Sequence, residues 1–400
     1  MASNKRSIMN GITRNIIILG LVSLFTDLSS QMVFPLIPLF LTSVLGAGAY
    51  AVGIVEGAAE TTASLLKVVS GYWSDKIRKR KPFVLFGYSL SSITKPLFAF
   101  ANVWFFVLIV RVIERIGKGL RTAPRDAIVA ESVDKKVRGK AYGFHRAMDG
   151  IGSILGAVLA FVLLPVLGFK NIFLFAFIPG IIAVFVILFI KEKKPVLKKE
   201  AKEISIKLSF RELPINLRIF IIVSSVFTLG HFGYAFLLLK AKNIGLADNM
   251  AILLYVLFYV VYTLCIIPSG IVSDKIGRKP VLVTGYLTFA IVSVGLLFTS
   301  SIYPLLVFFI IYGIFYALID GVQRAFVVDL APEHLKATAL GTFHTAVGFV
   351  ALPGGFIAGI LWDKISPEAT FLYGFALAII SLLLFSFIKD KKHLIPKHKR

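Results

Sequence analysis

Asp27, Glu60, Glu114, Asp149 and Asp320 are carboxylates set inside long apolar runs, and Arg111, Arg121, Arg125, Arg146 and Arg324 are guanidinium groups in runs of the same kind. An ionised side chain at the centre of a bilayer costs about 2.5–3.5 kcal/mol on insertion scales, so such groups face a cavity or one another, or mark a path for solute or ions. The chemistry open to this set is charge recognition and proton movement. His145 and Asp149 stand one helical turn apart. Imidazole is the side chain whose charge changes nearest neutral pH, so the pair is a candidate proton carrier. A hydrogen-bonded histidine in a helix contact has the same spacing. Asp27 shares a helical face with Ser23, Ser30 and Gln31, and Glu60 shares one with Glu56, Ser64 and Lys67. The second set also fits a charge ladder that locks helices together. No phosphate-binding Gly-Lys loop, metal cluster or catalytic triad spacing stands out, so neither cofactor nor metal nor enzyme activity is expected.

The run from Arg111 through Glu114, Arg115, Lys118 and Arg121 to Arg125 keeps a three-to-four residue spacing. That is too many cations to face lipid, so the row should line a central cavity or its mouth. Tyr312, Tyr316, Asp320 and Arg324 follow at four-residue steps, a polar and aromatic wall in which Asp320 and Arg324 also fit a simple pair. Thr228, His231 and Tyr234, and then Tyr255, Tyr259 and Tyr262, form further stripes of the kind more often used for packing.

These residues need elements that hold them in a membrane. Hydrophobic residues are 57% of the chain and charged residues 16%, against roughly 45–50% and 25% in soluble domains. A membrane helix takes about 20 residues, and lipid leaves helix as the workable backbone for such runs. Twelve segments qualify, near 15–43, 50–73, 82–101, 104–128, 139–165, 170–190, 218–241, 249–272, 280–299, 303–328, 337–362 and 368–388. The first is too long for a signal-peptide core and carries Asp27 and Gln31, so it is read as a retained helix. The net charge is +23, and the Lys and Arg of the connections fall mostly on one side, with Lys242 and Lys364 the exceptions. That placement points to anionic lipid and the positive-inside rule rather than to nucleic acid, and puts both termini in the cytoplasm. The single cysteine, Cys265, rules out an internal disulfide and reads as a packing residue.

The chain also repeats. Gly71-Tyr-Trp-Ser-Asp75-Lys-Ile-Arg78-Lys79-Arg80 recurs as Gly270-Ile-Val-Ser-Asp274-Lys-Ile-Gly277-Arg278-Lys279, with both Gly71/Gly270 and Asp75/Asp274 199 residues apart. Arg125 with Arg324, and His145 with His344, keep the same offset. Two related halves are a transporter signature. This loop, following the second and eighth hydrophobic segments, resembles the signature of the major facilitator superfamily, with Arg78 where the family has Gly. The resemblance covers the whole chain. It implies an all-α integral membrane protein whose twelve transmembrane helices form two pseudo-symmetric six-helix bundles, at 1–190 and 218–390. A basic cytoplasmic linker at 191–217 joins them and a basic tail follows at 391–400. The stretch Arg111 to Gly119 resembles the family's R-x-x-Q-G-x-G-x-G pattern, in which the Arg is associated with proton coupling in antiporters; Glu114 and Arg115 depart from it. The antiporters' Gly-Pro-Gly-Gly-like run is absent from the fifth helix.

Glu131 with Arg138, and Asp329 with Lys336, resemble pairs found in sugar-porter members. They suggest a cytoplasmic gate in each half: Asp75 near Arg138, Glu131 near Lys79 or Arg80, and Asp274, Arg278, Asp329 and Lys336 together. The expected function is secondary active transport of a small-molecule substrate, with proton-coupled export of an amphipathic compound as the leading reading. An uptake carrier or facilitator for an anionic solute is the alternative, and a membrane sensor that has lost transport is the third. The expected setting is a monomer in the lipid bilayer of the cell membrane, with the proton as coupling ion.

Overall fold

The structure is a computed structural model and describes residues 12–77, 79–134, 137–190 and 210–388. The linker expected at 191–217 falls mostly outside this range, as does the tail at 391–400. Every regular element among the described residues is a helix. Nine of their helices are long and apolar enough to cross a membrane.

The first, α1 (Arg14–Val44), is straight to Gln31 and then breaks before Leu36–Leu39, where Pro35 and Pro38 remove backbone donors. It is followed by α2 (Ala49–Ile77) and by α3 (Lys81–Phe100), which tightens to a 3-10 turn at Lys95–Phe100. Next come α4 (Trp104–Glu131) and the 50-residue run Arg138–Ile187. That run folds back at Gly168, whose φ of 69° only glycine adopts freely, and so forms α5 (138–167) and α6 (169–187). The second half holds α7 (Ile215–Asn243), α8 (Asp248–Ile276), α9 (Arg278–Leu297), α10 (Ile302–Leu330), α11 (Lys336–Lys364) and α12 (Pro367–Ser386). The sequence reads as one continuous seventh segment, but α7 is broken at His231 and Phe232, before Gly233 with φ 68°. The α2 and α4 helices have spanning length, at 29 and 28 residues, but carry the rows of charge in place of unbroken apolarity.

In the first set of helices α1 packs on α5 and α6, and α4 on α2 and α3; in the second, α7 packs on α11 and α12, and α10 on α8 and α9. Two seams join the sets, α2 along α11 and α5 along α8. Lipid supplies no hydrophobic drive between helices, so contact depends on close packing of small residues. At the first seam a Cβ on Gly53 would lie 1.9 Å from the Gly355 carbonyl oxygen, and one on Gly359 would lie 2.4 Å from Tyr50 Cα.

Candidate functional site

The charged rows of α2 and α4 meet inside the first set. Arg111 is 0% exposed. Its guanidinium donates to both carboxylate oxygens of Glu56, at 3.1 and 3.0 Å, and lies 3.4 Å from Glu114. Arg115 contacts the same Glu114 at 3.4 Å, and both guanidinium groups stack over the Phe34 ring, at 4.1 and 4.6 Å. Tyr234 of α7 reaches Glu56 from the other set at 3.5 Å. Two cations and two carboxylates thus neutralise one another with their planes held, as a buried ion network must.

One turn further along α4 the surroundings change. Lys118 is exposed although it sits in mid-helix, and Asp27, Glu60 and Glu114 are among its charged neighbours. Glu60 is exposed as well; it accepts from Ser64 at 3.2 Å and is flanked by Lys118, Arg115 and Lys67. Charged side chains that are exposed in mid-helix, yet face other charges, mark an open basin between helices. Asp27 lies half-buried at its wall with Asp149, Lys118, Arg121 and Arg125 around it. Arg121 is sealed behind: it donates to Ser91 Oγ at 2.5 Å and stacks 4.4 Å over Tyr88. Arg125 pairs with its neighbour Asp126 at 2.8 Å.

From α5, buried His145 places Nδ1 3.4 Å from Asp149, which also accepts from Ser23 and lies 3.4 Å from Arg146. From the second set, Arg324 pairs with Asp320 at 2.9 Å, and the Tyr262 hydroxyl donates to Asp320 at 3.1 Å. His344 of α11 stands in the field of Lys67, Arg324, Glu60 and Asp320. Gln31 is held from α8 on both sides: Tyr255 donates to its carbonyl at 2.7 Å and its amide donates to Tyr259 at 2.8 Å. Among the described residues no group of three or more His, Cys, Asp or Glu is placed to hold a metal ion.

The two ends of the molecule are built differently. At the end carrying the repeated loops, Arg80 bridges Asp75 and Glu131 at 3.0 and 2.7 Å, and Arg278 bridges Asp274 and Asp329 at 2.5 and 3.3 Å. Arg138 donates to the Ala130 carbonyl at 3.0 Å, and Lys336 pairs with Glu333 at 2.6 Å; Lys79 is exposed. Each of these ion pairs stays within one set of helices. At the opposite end polar contacts cross between the sets. Asp363 accepts from the backbone N–H groups of Ala49 and Tyr50, and Asp248 accepts from Ser43 at 3.1 Å while pairing with Lys242 at 2.8 Å.

The structure adds two residues to those singled out from the sequence. Lys95 is fully buried and donates to Ser29 Oγ at 2.7 Å, with Glu114, Arg121 and Asp27 among its charged neighbours. Lys240 pairs with Glu368 at 3.2 Å. A charge inside an apolar segment was the available signal for both.

Paired rows of charge between two packed sets of membrane helices are an arrangement suited to a membrane carrier. The chain belongs to the Major Facilitator Superfamily, whose family model matches residues 19–240 and again 219–400. An uncharacterized MFS-type transporter of Methanocaldococcus jannaschii is 44% identical over 385 residues, 94% of this chain and 95% of that protein. The multi-drug resistance efflux pump PmrA of Streptococcus pneumoniae is 31% identical over 131 residues, 32% of this chain and 33% of the pump. The crystal structure of the nucleoside transporter NupG, in a mutant form, shares the fold with a TM-score of 0.78 at 16% identity, covering 94% of this chain and 100% of that one. The protein is therefore a multi-pass membrane transporter with the major facilitator fold.

Proposed function

We propose that this transporter is a secondary active carrier in the cell membrane, in which twelve crossings form two bundles, at 1–190 and 218–390, that alternate access to the charged basin, with proton coupling through Asp27. The basic end is cytoplasmic, by the positive-inside rule. At the other end polar contacts cross between the sets, whereas the ion pairs of the basic end stay within one set, which supports reading this arrangement as closed to the outside. The observation that carries the coupling is Asp27 itself. It is a half-buried carboxylate with no ion pair among the described residues, at the edge of an open basin and in the field of three cations of α4. A carboxylate whose desolvation and cation neighbours change between two facing states takes up and releases a proton as the states exchange. The stretch of likeness to an efflux pump supports export as the direction.

The test is proton flux into proteoliposomes carrying a pH dye, challenged in turn with 4-hydroxybenzoate, phenyl phosphate and ethidium. A dye response to at least one probe, dependent on the protein, is expected. Tracer uptake of a probe without any proton movement removes the coupling and leaves a facilitator.

A further inference from the structure

Matching the core charges partner by partner leaves an imbalance. Arg111 and Arg115 are matched by Glu56 and Glu114, and Arg125, Arg146 and Arg324 by Asp126, Asp149 and Asp320. Among the described residues of the core, Lys67, Lys95, Lys118 and Arg121 have no carboxylate at ion-pair distance, and Asp27 and Glu60 have no cation there. With histidines neutral, the remainder is four positive charges against two negative ones. Charge held in a low-dielectric interior is costly unless countered, so this core favours an anionic occupant.

The remaining groups differ in reach. Lys95 and Arg121, 0% and 5% exposed, are sealed behind the basin, and the Arg121 guanidinium is the fixed positive background there. Lys118 is exposed and Lys67 half-buried, so these are the cations a solute can touch. The α8 and α10 helices bring half-buried tyrosines to the unmatched carboxylates, Tyr259 toward Asp27 and Tyr316 toward Glu60; Tyr259 and Tyr262 have ring centroids 5.6 Å apart, and Tyr262 and Tyr316 6.1 Å. Such a wall offers ring faces to an apolar body.

We infer that the basin takes organic anions, a carboxylate or phosphate monoester on an aromatic body, and that Lys118 is the residue that selects the sign of the charge. The inference rests on the carrier reading of the same site. A cationic amphipath would set its charge against the four unmatched cations and gain only Asp27 and Glu60. An anion gains Lys118 and Lys67 as charge-assisted donors and relieves the background.

The test is equilibrium binding to the purified full-length protein, read as thermal stabilisation at constant ionic strength. The probes are 4-hydroxybenzoate, phenyl phosphate and tetraphenylphosphonium, with sodium sulfate as the simple anion. Stabilisation by the two aromatic anions above that of sulfate is expected. In Lys118→Gln the half-saturating concentration rises about tenfold, the weight of one charge-assisted contact; Lys67→Gln gives a smaller rise in the same direction. Stabilisation by tetraphenylphosphonium alone, by none of the probes, or by anions equally in Lys118→Gln and the unmutated protein overturns the inference. Because binding is read without a gradient, a failed proton-flux test leaves this result standing, and failure here leaves the carrier reading standing.

Discussion

Arg111 on α4 donates from one nitrogen, Nη2, to both carboxylate oxygens of Glu56 on α2 at 3.1 and 3.0 Å, while Nη1 reaches Glu114, and the guanidinium is wholly enclosed. Both groups are thereby committed to holding helices. Removing the guanidinium leaves Glu56 and Glu114 without their shared partner. Breaking one side of a buried pair costs about 3–5 kcal/mol. Arg111→Ala is therefore expected to lower the unfolding temperature sharply and reduce the yield of folded protein. Arg111→Lys should rescue it poorly, because an ammonium cannot present the planar fork. Thermal unfolding of the purified variants checks this, and a wild-type melting curve for Arg111→Ala would assign the arginine to transport alone.

Asp27 has the opposite character. It is half-buried and free of ion pairs among the described residues, so its exchange for an amide removes charge without orphaning a partner. Asp27→Asn is expected to abolish gradient-driven transport and proton flux while thermal stabilisation by a bound probe persists. Proton movement at the normal ratio in Asp27→Asn would shift the carrier to Glu60 or to the His145–Asp149 pair.

The clusters around Arg80 and Arg278 tie loop to helix within each set. We propose that they act on the equilibrium between facing states by shaping the helix ends that come together when the basic end closes. Asp75→Asn and Asp274→Asn are each expected to move the population further toward the state open at that end and to slow transport, with little loss of folded protein. Spin-label distances between helix ends at the basic face report the shift. Unchanged distributions in both variants would reduce the loops to anchoring the topology.

At the α2–α11 seam, Gly53 has no room for a methyl group: its Cβ would meet the Gly355 carbonyl oxygen at 1.9 Å. That atom is backbone, so relief requires the helices to part. Overpacking of this kind costs about 1–3 kcal/mol. Gly53→Ala is expected to destabilise this packed arrangement and raise the labelling rate of a cysteine placed at Gly46, at the end opposite the repeated loops. A labelling rate equal to that of the Gly53 parent would show that the seam is not the closure.

The repeat and its loops were legible because they are local patterns. Gly71 to Arg80 and Gly270 to Lys279 carry the repeat on their face, and the three-to-four spacing of the α4 charges places them on one side of a helix. Partners across the fold were not legible. Periodicity along α1 puts Gln31 on a polar face, but nothing local says that Tyr255 and Tyr259, more than 220 residues on, will take its amide. The loop pairs were near the mark in position and differed in detail: Arg80, not Arg138, meets Asp75. Lys95 lies inside the segment expected at 82–101, and nothing beside it in the sequence says which group takes its charge. The 3-10 turn starting at Lys95 turns the side chain inward to Ser29.

The carboxylate of Asp363 on the two amides that open α2 joins residues 314 and 313 positions apart. A helix start normally finds its acceptor a residue or two away; here it is lent by the far end of the chain. During synthesis the first turn of α2 is made long before its acceptor exists, so that turn is completed late, when α11 docks. The same dependence makes the Ala49 and Tyr50 amides a native clock. Their hydrogen exchange should be slow while the outer ends are together and rise each time they part, so the cycle can be timed without any attached label.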